Sequence, residues 1–184
     1  KINVISTWIL EKIIQTIKNK CDNKIYLDKS ISRWIFSPKD LNIDDFIRND
    51  DITFYYHLMK WKEDSCEPLC TLSKMFIDRD LLKASEISFL SRINRLEILA
   101  FARKLCEKNN IDAEIFCGIK ESSFKGFETN NALRIWDGSY QKSLDDSSAL
   151  IRTLMKTEES SFIIYPCLIK SEIKSKISYL KENS

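Results

Sequence analysis

Glycine and proline are scarce in this chain, at three residues each among 184. No Walker loop and no dinucleotide fingerprint can be drawn through Gly118, Gly126 and Gly138, so a Gly-rich phosphate cradle is excluded. So few breakers argue instead for helices with compact connections. Histidine is scarcer still. His57 stands alone, which rules out any site built on two histidines, whether as metal ligands or as a base with an orienting partner. A nucleophile elbow is missing too. No apolar run is long enough to span a bilayer, and no signal-peptide pattern opens the chain. Nor is one sign of charge in excess: 29 basic against 27 acidic residues leave +2, too little to imply a nucleic-acid partner.

What is present suits a globular protein, with 43% hydrophobic and 30% charged residues. The six cysteines, Cys21, Cys66, Cys70, Cys106, Cys117 and Cys167, lie within segments that read as core. A chain of this length does not need them as staples, so they are expected reduced, in a cytoplasmic compartment. The first residue is Lys1 rather than Met, as expected either of a fragment or of a processed start.

Hydrophobic spacing divides the chain. Ile2, Ile5, Ile9, Ile13 and Ile17 stripe a first helix with Trp8 beside them, and Cys21-Asp22-Asn23 ends it. An irregular stretch is expected from Ile25 to Phe36. Ser37-Pro38-Lys39-Asp40 then looks like a helix start, with a cap, a proline at the first position and an acid at the positive end of the dipole. Asn49 or Asp50 opens another helix, with Ile52, Tyr55, Tyr56 and Met59 at helical spacing and Trp61 near its end. Pro68 opens the next, carrying Leu69, Leu72 and Phe76. Residues 1–83 thus form an all-helical region.

The pattern changes after Lys83. Leu96, Leu99, Ala102 and Cys106 mark a helix that Asn109-Asn110 can stop in left-handed conformation. The alternation in Ala113–Ile119 predicts a strand. Asp137-Gly138 predicts a two-residue hairpin turn with Ile135 opposite Tyr140. Asp145 caps a helix through Leu150, Ile151 and Leu154. Phe162–Tyr165 reads as a strand closed by Pro166, and Ile169, Ile173, Ile177 and Leu180 stripe a last helix. The fold class is α+β: a helical region followed, over residues 84–184, by a small antiparallel sheet whose helices cover one face.

Most polar groupings have structural explanations. Cys66 and Cys70 could share a helical turn, but no second ligand pair has zinc spacing. Asp44-Asp45, Asp50-Asp51 and Asp145-Asp146 fall at helix starts, where capping accounts for them. Lys170, Lys174, Lys176 and Lys181 alternate with Glu172 and Glu182, as on a solvated helix face. Weak binding of single-stranded nucleic acid through Lys-rich helices and exposed aromatic rings would need steep salt dependence, and is the least favoured reading.

One segment carries more. Asp44-Asp45-Phe46-Ile47-Arg48-Asn49-Asp50-Asp51 is followed by Leu58, Trp61, Asp64, Leu69 and Leu72, and ends in Asp78-Arg79-Asp80-Leu81-Leu82-Lys83. This order resembles the C-terminal half of HD-superfamily phosphohydrolases, the group related to deoxynucleotide triphosphohydrolases. The hairpin at 133–144 and the strand ending in Tyr165-Pro166 are similar to that family's C-terminal sheet region. The close departs from the family pattern at Asp80 and Leu82, and the segment around Gly126-Phe127 departs as well.

The resemblance implies a parent enzyme that hydrolyses nucleotide phosphate esters with a divalent metal held by His, His-Asp and Asp. Those ligands belong to an upstream HD domain of the same polypeptide. This chain has no His-Asp dipeptide, so no catalytic residue, metal ligand or cofactor is carried over. Only Arg79 and Lys83 match positions near a regulatory phosphate site, which makes them the candidate effector-binding residues for a nucleotide. A guanidinium fork and an ammonium suit phosphate, although Arg79 could equally pair with Asp78, Asp80 or a distant carboxylate. The leading expectation is therefore a C-terminal, non-catalytic part of an HD-type phosphohydrolase, assembling as a homo-oligomer and able to bind an effector. The alternative is a stand-alone protein-interaction domain with only fold-level likeness to that family.

Overall fold

The computed structural model of the protein describes residues 1–19, 25–125, 134–136, 138–143, 150 and 157–182. Helix α1 (Ile2–Asn19) is the expected isoleucine stripe, and it buries Ile5, Ile9, Ile13 and Ile17. The first correction follows it. The stretch expected to be irregular contains helix α2 (Lys29–Phe36). Asp28 makes this helix, because its carboxylate accepts the Ile31 N–H at 2.8 Å, and Ile31 and Ile35 then sit one turn apart on the buried side.

Ser37-Pro38-Lys39-Asp40 is a second correction. Ser37 closes α2, giving its N–H to the Arg33 carbonyl at 2.8 Å, and Pro38–Asp40 make only a 3-10 turn. The helix begins later, as α3 (Ile43–Arg48), where Asn42 Oδ1 accepts the Asp45 N–H. Helix α4 (Asp51–Trp61) starts as expected, with Asp50 as its cap. Its orientation is reversed, however. Ile52, Tyr55, Tyr56 and Met59 are exposed, while His57, Leu58 and Trp61 are buried. Both stripes of α4 are apolar, so periodicity could not choose between them, and the large indole of Trp61 takes the inside. Helix α5 (Glu67–Ile77) begins at Pro68 as read and buries Leu69 and Leu72.

The sheet half opens with strand β1 (Lys83–Glu86) and helix α6 (Arg92–Lys108), which stops at Asn110 with φ 56°. Residues Ala113–Ile119 do not form one strand. Asp112 accepts the Glu114 N–H and folds a single turn, α7 (Ala113–Phe116), and strand β2 (Gly118–Lys125) starts only after it. Strands β3 (Arg134–Trp136) and β4 (Gln141–Ser143) form a separate hairpin. Its register is shifted from the expected one, since Ile135 opposes Lys142 rather than Tyr140. The connection is four residues long, 137–140, so Gly138 supplies its left-handed backbone (φ 98°) to a wider loop than a two-residue turn. Asp137 and the helix expected from Asp145 to Leu154, apart from the single helical position Leu150, lie outside the described residues.

Strand β5 (Thr157–Tyr165) is central, in the order β1-β5-β2, antiparallel on both sides. Helices cover both faces of this sheet, not one. Ile164 enters the cluster with α1, α4 and α5, while Ile163 and Tyr165 enter a second cluster with α6 and the last helix, α8 (Lys170–Glu182). A strand buried on both sides has no polar face, which is why Phe162–Tyr165 is a continuous apolar run. On the α1 side, Ala84, Ile164 and Gly118 lie in one row across the sheet. The small residues at its ends let α1 come close.

Each fully buried isoleucine of α1 contributes roughly 1.5–3 kcal/mol by leaving water. Ile13→Ala should therefore lower stability by about 2–5 kcal/mol, with the cavity adding to the lost transfer energy. Ile52→Ala, at a position 79% exposed, should stay within about 0.5 kcal/mol. Urea unfolding compares the two, and equal losses would mean that the faces of α4 are assigned the wrong way round.

Candidate functional site

Arg79 and Lys83 are four residues apart, a spacing that would put both on one face if the segment were helical. That helical spacing does not occur, because α5 ends at Ile77 with Asp78 as its cap and residues 79–82 are irregular. Arg79 has φ 58° and is exposed; Lys83 is half-buried at the start of β1. Asp78, a candidate partner for Arg79, holds Lys62 instead, at 2.6 Å. Among the described residues no ion pair reaches Arg79 or Lys83.

His57 is fully buried and both of its nitrogens are occupied. Nδ1 lies 2.8 Å from the Thr53 carbonyl, one turn back on α4, so it carries the proton and donates. Nε2 accepts the backbone N–H of Asp28 at 3.2 Å. This pair of bonds assigns a neutral imidazole as the Nδ1–H tautomer. Tyr26 and Trp61 flank the ring, with centroids at 5.2 and 5.5 Å, and the Trp61 indole donates to the Tyr26 carbonyl at 2.9 Å. His57 and Trp61 thereby fix residues 26–28, and with them the cap that starts α2.

The remaining motif residues are also structural. Cys70 donates to the Lys62 carbonyl, Cys66 is the first-turn cap position of α5, and among the described residues no group of His, Cys, Asp or Glu is arranged to hold a metal. The Cys106 and Cys117 thiols share a hydrogen bond, and that bond, then burial, pushes the Cys117 thiol well above the ordinary thiol range. Asp50 caps α4, and its bond from the Thr53 N–H holds its carboxyl below the ordinary aspartate value. Asp45 does not cap; it accepts the Arg33 guanidinium at 2.6 Å. Asp145-Asp146 lie outside the described residues. Of the C-terminal lysines, Lys176 reaches Glu97 of α6 at 2.5 Å and ties α8 down.

Two surface features were missed in the sequence. On α3 and α4, Phe46 (73% exposed) and Ile52 are joined by Ile43, Ile47, Tyr55 and Met59 as large apolar side chains turned to solvent. Elsewhere a cleft of about 890 Å³ lies between α1, α6 and β2, contacted by Trp8 and Lys12 from α1 and by Arg92, Leu96, Leu99 and Arg103 from α6. Trp8 is fixed there. Its indole donates to the Ile115 carbonyl at 3.2 Å, and its ring covers Gly118 so closely that a Cβ at that position would lie 2.1 Å from a ring carbon. The Lys12 ammonium sits 4.7 Å from the Trp8 ring centre. Burial lowers the Lys12 pKa from its ordinary value; Glu114 opposes that shift and Arg103 reinforces it. These cations come from helices far apart in sequence, so no local motif could have announced them.

The tautomer assignment makes His57 a structural residue with a measurable cost. His57→Ala should destabilise the chain by about 2–4 kcal/mol, through the cavity and the Asp28 N–H left without an acceptor. Urea unfolding gives the value, and an unchanged midpoint would show that the imidazole does not hold residues 26–28.

No family model matches this chain, and no curated protein does. The fold is similar to that of a phosphohydrolase from Bacteroides thetaiotaomicron VPI-5482, known from its crystal structure, with a TM-score of 0.59 and 16% identity. The likeness covers 88% of this chain but only 43% of that one, so this chain spans less than half the length of its structural neighbour. The fold is phosphohydrolase-like.

Proposed function

We propose that this chain is the C-terminal, non-catalytic part of an HD-type, metal-dependent nucleotide phosphohydrolase, and serves assembly or effector binding. The observation that carries this reading is the fold it shares with part of a phosphohydrolase. Two features of the molecule support it. The one histidine is committed to a buried structural role. The apolar side chains of α3 and α4 are available to the remainder of the parent polypeptide, since an exposed apolar patch marks an interaction site. The divalent metal belongs to the upstream HD domain in this reading, where it would activate the attacking water.

The isolated chain is expected to release no phosphate or triphosphate from deoxynucleoside triphosphates with Mn²⁺ or Mg²⁺. A longer polypeptide that includes an upstream His, His-Asp and Asp set should turn over, and should slow when Phe46→Asp is introduced. Turnover by the isolated chain that survives repurification would overturn the reading. A preceding reading frame without those ligands would leave the stand-alone interaction domain in its place.

Arg79 and Lys83 are the effector-binding residues of this proposal, four residues apart across a loop-to-strand junction rather than on a helix. Lys83 is in β1 and Arg79 follows α5, so a bound phosphate would link the helical region to the sheet and stabilise both by mass action. Thermal unfolding with millimolar GTP should rise by several degrees, and the rise should vanish in Arg79→Ala. Equal shifts in both proteins, or none in either, would remove the site.

A further inference from the structure

Strand β2 is an edge strand. Its inner edge pairs with β5 from Gly118 to Lys125, and among the described residues no strand pairs with its outer edge. In an antiparallel sheet alternate residues turn their N–H and C=O groups to each side, so this outer edge is a row of donors and acceptors without a chain to meet them. Proteins commonly guard such a row with a charged side chain, lysine above all. Here the lysine is drawn aside, with the Lys120 ammonium 2.5 Å from Glu11 of α1.

The cleft lies along this same edge. Residues 117–121 line it consecutively, and its walls come from opposite faces of the sheet, α1 on the Gly118 side and α6 on the Ile119 side. A space bordered by both faces, with the inner edge already taken by β5, opens at the outer edge. At about 3.4 Å per residue, its floor is long enough to hold four or five residues of extended chain.

Its chemistry selects the occupant. Five basic side chains and two carboxylates line the cleft. Arg95 is committed to the Leu90 and Ser88 carbonyls and to Ser161, and Lys120 to Glu11. Arg92 and Arg103 are exposed and, among the described residues, no ion pair reaches them. Lys12 is partly withdrawn from water on the opposite wall, on the ring of Trp8. We propose that this edge accepts an extended acidic segment of a partner protein, which adds as a strand beside β2 and sets its carboxylates against Lys12, Arg92 and Arg103. Side chains of such a strand alternate between the two walls. One set meets Lys12 and Trp8; the other meets the arginines, with Leu96 and Leu99 between them. A second copy of this chain presenting the same edge would bring cations against cations. A compact phosphate would satisfy the charges but leave the backbone row unpaired. The site stands whether or not the chain belongs to a phosphohydrolase.

The test is fluorescence anisotropy of the intact chain with a labelled acidic peptide that carries glutamates at both odd and even positions, so that carboxylates face both walls. The peptide should bind, and Arg92→Glu and Arg103→Glu should each weaken it by about fivefold or more. Two further peptides carry N-methyl groups on one or the other set of alternate amides. Only one set faces β2, so one peptide should lose about tenfold while the other binds like the parent. No binding of the parent peptide overturns the proposal. Equal affinities of the two methylated forms, or displacement by tripolyphosphate without any effect of methylation, reduce the cleft to a general anion site and overturn it as well.

Discussion

Burial of the isoleucine stripe on α1 is the interaction on which the rest of the molecule depends. Ile9 and Ile13 are wholly enclosed, and the cluster around them draws on α2, α4, α5, α7 and β5. Helix α1 packs on α2 and α5 in the helical region and on β1 and β2 in the sheet. The polar contacts of α1 follow the same line, with Trp8 bonded to Ile115 and Glu11 to Lys120. These bonds orient a contact whose energy is chiefly apolar, since an ion pair half open to water adds little. The small row Ala84 and Gly118 beside Ile164 gives α1 its close approach to the sheet.

The motif positions between Asp44 and Lys83 are, in the structure, positions of packing and capping. Trp61, Leu58, Leu69, Leu72 and Leu82 are buried, Asp50 caps α4, and Asp64 accepts the Cys66 N–H ahead of α5. Such a pattern can persist because the fold requires it, with no chemistry attached. His57 is likewise structural, making two hydrogen bonds that no apolar residue could make.

Where one apolar stripe faced one core, the sequence was legible. The helices α1, α5, α6 and α8, the stop at Asn110 and the strand before Pro166 could all be read from spacing and punctuation. Where local hydrogen bonds compete with spacing it was not. Asp28 makes a helix of a stretch that looked irregular, Asp112 turns an alternating run into a helical turn, and Asn42 displaces Ser37 as the cap. Spacing also failed on α4, which carries two apolar stripes. The candidate site was the least legible part. Arg79 and Lys83 rest on the resemblance alone and share no helix, and the cleft gathers Lys12, Arg92 and Arg103 from helices some eighty residues apart.

The enclosure of α1 also has a consequence for synthesis. Among the elements of this fold α1 leaves the ribosome before the others, yet its stripe is closed in part by Leu69 and Leu72, then by Phe116, and only later by Ile164. At ordinary translation speed that last partner follows on the order of ten seconds behind. Throughout that interval the growing chain holds out an amphipathic helix with its greasy side open, a ready substrate for chaperones at the exit tunnel and a ready nucleus for aggregation where they are absent.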